Sequence, residues 1–196
     1  MLIDYLTLML VSMTAGLFLL AYYVYRGIGT ENTKWWVPGF AMTGFIAVIT
    51  GLHMSLTWPL SGSYNIAFGE MSVLFGILFL GAALALWKGW EMRTVSIYAF
   101  FAGFAAVVVG ARVISLGMTN RPEVSGIGFI LTGLGGLFAW LCCLAEPILG
   151  LGTNRILRAI GALVLIAAAV IWAFTGYLAY WEHLESFAKW VPLTLR

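Results

Sequence analysis

Ionisable and metal-ligating side chains are scarce in this chain, and several of them sit inside apolar runs. The stretch "GLHMSLTWPLSGSYNIAFGE" from position 51 holds His53, one of two histidines, and closes on Glu70. Arg112 interrupts "AVVVGARVISLG", Glu146 follows "AWLCCLA", and His183 lies in the tail "YLAYWEHLESFAKWVPLTLR". Burying an ionisable group in an apolar segment is costly, so such groups usually face a protein interior or a wet cavity. His53, Glu70 and Arg112 admit three readings. They form a self-satisfied structural clamp, or the vestibule of a pore, or part of a ligand site. In a pore mouth they would hold water, and His53 brings the side chain type that changes charge near neutral pH. As ligands, His53 and His183 are the only pair for a bis-imidazole haem b. Metal-binding spacings such as His-x-x-x-His or Glu-x-x-His are missing, so no metal is expected. The neighbours Cys142 and Cys143 point in different directions on a helix and make no disulfide framework. The sequence holds no nucleophile–histidine pair, no phosphate-binding glycine loop after a strand and no cofactor-lysine motif, so an enzyme is not expected.

The elements that carry these residues follow from composition. Of 196 residues, 62% are hydrophobic and 9% charged, with a mean hydropathy of +0.99. A soluble domain has about a quarter of its residues charged. The lipid bilayer is therefore the implied partner, and the fold class is all-α, a bundle of transmembrane helices. A net charge of +2 without a basic face excludes a nucleic-acid partner. The opening "MLIDYLTLMLVSMTAGLFLLAYYVYR" lacks a basic leader and runs too long for a signal peptide, so it reads as a retained first span. A spanning helix needs about 20 apolar residues. Six such runs occur, at 4–25, 35–58, 66–88, 95–117, 125–149 and 157–181, within one domain covering 1–196. Short breaks such as "PLSGSYN" and "TNRPEVSG" make consecutive helices antiparallel neighbours.

Basic residues sort by loop. Arg26, Lys34, Lys88, Arg93, Arg155 and Arg158 flank the first, third and fifth connections, while the fourth has Arg121 alone. The positive-inside rule then puts both termini outside the cytoplasm of a plasma membrane. His53 falls about 7 Å below the outer end of the second helix, at 1.5 Å per residue. Glu70 and Arg112 share that depth. The aromatic tail 182–196 reads as an interfacial segment, or a docking element if the chain is an accessory subunit. Glu146 marks a helix exit beside Pro147, pairs with Arg155 or Arg158, or lines an inner mouth. The 23 glycines favour close helix contact. In the fifth span Gly128, Thr132, Gly136 and Trp140 form one stripe, either a packing groove or a lumen wall. There is also an internal echo. "GFIAVITGLH" at 44–53 matches "GFAAVVVGAR" at 103–112, and "FGEMSVLFGILF" at 68–79 faces "IGFILTGLGGLF" at 127–138 at the same offset.

"LFGILFLGAAL" at 74–84, "WLCCLAEPIL" at 140–149 and "RTVSIYAFF" at 93–101 resemble helices of the proton-gated urea and short-chain amide channels of bacteria. The resemblance spans about 65–185. "TWPLSGSYNIAFGE" is similar to a family of prokaryotic six-helix membrane proteins with no assigned function. The channel resemblance implies a pore inside each protomer and a homo-oligomeric ring of six. It implies that Phe79 and Trp140 form the constriction, that Phe75 and Gly76 support helix contact, and that Glu146 matches a family glutamate at the inner mouth. Gly81 stands where the channels carry a second tyrosine in the third helix, Phe129, Gly133 and Gly136 stand where they carry further tryptophans in the fifth, and the long outer loop used for acid gating is missing. The expectation is a channel or facilitator for a small polar or neutral solute, with His53, Glu70 and Arg112 as its outer vestibule. An electron-transfer subunit or an accessory subunit of a larger complex is the alternative.

Overall fold

A computed structural model describes residues 4–145 and 154–190. Each apolar run folds as a helix because a bilayer offers no water to backbone N–H and C=O groups, and a helix satisfies them internally. The six helices are α1 (Tyr5–Gly27), α2 (Lys34–Thr57), α3 (Asn65–Lys88), α4 (Arg93–Leu116), α5 (Pro122–Leu144) and α6 (Arg155–Ser186), all long and apolar enough to cross a membrane. The protein is an all-α transmembrane bundle.

The helix ends carry local signals. Pro38 and Pro122 sit in first turns, where a missing N–H costs nothing. Asn154 caps α6, its Oδ1 accepting from the Ile156 and Leu157 N–H groups at 3.1 Å each. Gly89 and Gly117 end α3 and α4 with φ of +70° and +58°, a region open to glycine without steric cost. Trp58 ends α2 in the same region at φ 46°, its N–H on Met54 O, and Pro59 prevents continuation. Helix α6 runs to Ser186, so residues 182–186 of the expected interfacial tail are helical.

Consecutive helices touch, and α1 meets α6, which closes the six into a ring in chain order. The α4–α5 and α2–α3 seams have the most contact, with α1–α6 next. A Cβ on Gly44 or Gly51 of α2 would fall 2.9 and 2.8 Å from the carbonyl oxygens of Gly76 and Gly69 on α3. On α4, a Cβ at Gly103 or Gly110 would fall 2.6 Å from those of Gly133 and Gly126 on α5. Each helix thus presents two glycines seven residues apart, two turns along one face, so backbone meets backbone. The internal echo is real as packing, with a shift. The first helices match at an offset of 59 (44 to 103), the second at 57 (69 to 126), because the α4–α5 turn is two residues shorter than the α2–α3 turn.

Candidate functional site

Inside the ring runs a row of cavities. The end of the bundle bearing Asp4 and His183 is called upper below. An upper vestibule of about 460 Å³ is lined by α1, α5, α6 and the loop after α4, with Arg121, Glu182 and His183 among its residues. Beneath it a neck of about 20 Å³ lies between Met9, Met13, Phe68, Met71, Phe129 and Trp172. A central cavity of about 40 Å³ follows, bounded by Met13, Leu74, Phe75, Gly103, Thr132 and Gly136. A lower cavity of about 30 Å³ sits between Tyr23, Phe40, Leu78, Phe79, Ser96 and Cys143. A lower vestibule of about 440 Å³ then opens among Tyr23, Thr30, Glu31, Trp90 and Arg93. Each space shares residues with the next: Leu10 and Phe68, then Met13 and Phe129, then Leu20 and Leu78, then Tyr23 and Cys143. From Leu10 to Tyr23 along α1 is about 20 Å at 1.5 Å per residue. The row therefore crosses most of a hydrocarbon core.

Aromatic rings interrupt it. Phe68 on α3, Phe129 on α5 and Trp172 on α6 close the floor of the upper vestibule, with centroids 5.3 and 5.0 Å apart in sequence. Trp172 is 1% exposed, and its indole N–H donates to Thr132 Oγ1 at 2.9 Å. A buried indole usually takes such a partner, and here the bond fixes the ring between the cavities. Phe68 is placed by a wide turn that opens α3 at Asn65–Glu70. Asn65 is fully buried, its Oδ1 accepting from the Leu60 N–H and its amide donating to Leu60 O and Gly62 O. Lower down, the tilted rings of Phe75 and Phe79 lie 4.2 Å apart and Phe79 meets Phe40 at 5.2 Å. A water needs roughly 10–15 Å³ of accessible cavity. The inner spaces therefore admit water-sized guests but not a continuous hydrated column.

The upper rim is tied by hydrogen bonds. Asp4 Oδ2 lies 2.9 Å from His183 Nδ1, and Thr7 Oγ1 donates to Asp4 Oδ1 at 2.6 Å. Thr7 also lies 3.3 Å from His183 Nδ1. This knot joins the start of α1 to the last turns of α6. At the other end Arg158 Nη1 donates to Ile28 O at 3.0 Å, fastening the start of α6 to the chain after α1.

The expected vestibule residues do not converge. His53 is half-buried with its ring edge-on to Tyr5 at 5.1 Å. Glu70 is exposed on the outward stripe of α3 with Ile66, Ile77 and Leu84. Arg112 is exposed on the outward stripe of α4, its Nη1 donating to Ser115 Oγ at 3.2 Å. The three share a depth but not a direction, because each residue along a helix turns the side chain by about 100°. Phe68, two positions before Glu70, takes the inward direction instead. Phe79 lines the lower cavity. Trp140 packs against Phe100 at 5.0 Å and is not among the residues lining these spaces. Glu146 lies outside the described residues. The stripe on α5 serves both of its expected uses: Gly128 lies against the Trp172 ring, while Thr132 and Gly136 line the central cavity. His53 and His183 engage different partners, Tyr5 and Asp4. Among the described residues no three His, Cys, Asp or Glu side chains gather as a metal site.

Phe68, Phe129, Trp172 and the Asp4–His183 pair escaped sequence reasoning. One signal was available for Trp172, since a buried indole usually takes a hydrogen-bond partner.

Six spanning helices closed around an internal row of cavities define an all-helical membrane bundle of channel-like architecture. The chain belongs to the DUF981 family, described as a protein of unknown function, which matches residues 1–186. Its fold is that of the Helicobacter pylori urea channel. The electron cryomicroscopy structure of that channel in its closed state superposes with a TM-score of 0.69 at 18% identity, covering 91% of this chain and 98% of that one. The crystal structure of the same channel gives 0.68 at 18% identity with the same coverage. Curated protein sequences give no match.

Proposed function

We propose that this chain is a passive channel or facilitator for a small polar or neutral solute, conducting through the interior of each protomer. The observation that carries this reading is the row of cavities linking two wide vestibules that bear charged residues through an aromatic, apolar interior. A hydrated solute would collect in the upper vestibule beside Arg121, Glu182 and His183. It would shed water at Phe68, Phe129 and Trp172, then pass Phe75 and Phe79 as these rings turn. Hydrophobic constrictions of this kind exclude ions by dewetting. The urea-channel fold supports the same general class.

In this reading the lower end is cytoplasmic and both termini lie outside a plasma membrane, which the excess of basic residues at the lower end supports. The ring of six copies implied by the family resemblance belongs to this proposal. A catalytic role and a resident cofactor do not.

Stopped-flow measurements on proteoliposomes test it. The intact protein should accelerate at least one of ammonia, urea, acetamide and glycerol over empty vesicles. Trp172→Ala should raise that flux several-fold by opening the neck. A rate equal to that of empty vesicles for all four solutes refutes the channel.

A further inference from the structure

The hydrogen-bonding character of the lumen narrows the solute class, on the reading that the cavities are a conduit. In the neck and central cavity the lining side chains hold few polar hydrogens, and all of them are spent. The Thr132 hydroxyl donates to Gly128 O at 2.8 Å, and the Ser72 hydroxyl donates to Ala47 O at 3.0 Å. The Trp172 indole N–H donates to Thr132 Oγ1 at 2.9 Å. Backbone N–H groups along α1, α3, α4 and α5 there belong to helices and are turned onto their own carbonyls.

What remains is acceptor capacity alone. A hydroxyl oxygen has two lone pairs, so Ser72 keeps its pairs and Thr132 keeps one beyond the Trp172 bond. The thioethers of Met9, Met13 and Met71 add weak, polarisable acceptors. Among the described side chains lining these two spaces, no free donor faces the path.

Such a lumen treats solutes unequally. A carbonyl or hydroxyl oxygen arriving from water gives up its donors and finds none, which slows passage by roughly tenfold or more for each unpaired acceptor. A charged solute fares worse in an apolar segment. A neutral amine carries mostly N–H groups, which the Thr132, Ser72 and methionine acceptors receive, and a single lone pair. Size agrees, since the neck of about 20 Å³ and the central cavity of about 40 Å³ suit ammonia-sized guests better than amides.

We infer that the conducted solute is a small neutral amine, with ammonia as its smallest member, and that amides and polyols are excluded along the neck and central cavity.

The test uses the intact protein in sphingomyelin–cholesterol vesicles, chosen for low intrinsic ammonia permeability. A trapped pH dye follows jumps of ammonia and methylamine, and light scattering follows urea, acetamide and glycerol. Ammonia and methylamine should enter at least tenfold faster than into empty vesicles, with the other three within twofold of them. Urea or acetamide accelerated as strongly as ammonia overturns the amine assignment and leaves the channel standing. No acceleration of any solute removes the channel itself, and the assignment with it.

Leu74→Asn, which sets amide N–H donors in the central cavity, supplies a second reading once monodisperse elution shows it folded. The acetamide-to-ammonia flux ratio should rise at least fivefold. A folded variant with an unchanged ratio contradicts the donor argument, and Leu78→Asn takes its place if Leu74→Asn does not fold.

Discussion

The α4–α5 seam and the lumen wall are built partly from the same helix, yet they use opposite materials. On one face of α5, Gly126 and Gly133 let the α4 backbone approach to contact distance. On another, Phe129 and Thr132 meet the Trp172 indole with side chains alone. Backbone contact has no rotamers and cannot yield without moving a helix. Ring contact yields by turning about χ1 and χ2. The bundle thus keeps its walls fixed and leaves its constrictions as the adjustable part. The α3–α4 seam, which has much less contact than its neighbours, flanks the central cavity.

The largest expected effect attacks the rigid side of that comparison. Gly103→Leu would set a branched side chain where even a Cβ falls 2.6 Å from Gly133 O. Overpacking costs about 1–3 kcal/mol, occasionally more, and here the obstacle is backbone. A loss of about 10 °C in Tm is expected, at roughly 2–4 °C per kcal/mol for a chain of this size. A Tm within 2 °C of wild type would falsify the claim that backbone contact holds the seam.

On the side-chain face, Trp172→Phe keeps an aromatic ring but removes the N–H that reaches Thr132. The lost hydrogen bond contributes about 1 kcal/mol, so thermal melting should fall only a few degrees. Flux should rise as the unpinned ring turns freely. A fall in flux would mean that the hydrogen bond holds the path open rather than closed.

Asp4→Asn should do least. Asp4 and His183 are 28% and 37% exposed, and exposed ion pairs contribute about 0–1 kcal/mol. The expected change in Tm is under about 3 °C. A drop as large as that of Gly103→Leu would put the rim knot on a par with the glycine seams in holding the bundle together.

Six spans were legible because the bilayer imposes one local rule, about 20 apolar residues per crossing, and each run obeys it. The glycine echo was legible for α2 and α4, where the match is continuous. It slipped by two residues for α3 and α5 because the loops differ in length, and similarity among apolar residues hides a gap. The candidate site was read least well. His53, Glu70 and Arg112 stood out because charge in a span is conspicuous, while Phe68, Phe129 and Trp172 looked like ordinary apolar residues. Trp140 and Phe79 came from family resemblance, and only Phe79 lies on a cavity. The Asp4–His183 pair joins residues 179 apart in the chain, which no local pattern announces.

By itself the sequence determined the number of runs long and apolar enough to cross a bilayer, six, and their approximate positions along the chain. Those quantities depend on local hydropathy and on the rise per residue. The rotation of each helix about its axis was decided only when all six closed into a ring. In the α2–α3 and α4–α5 pairs that rotation is set by which glycines meet, and on α3 it sends Phe68 inward and Glu70 outward.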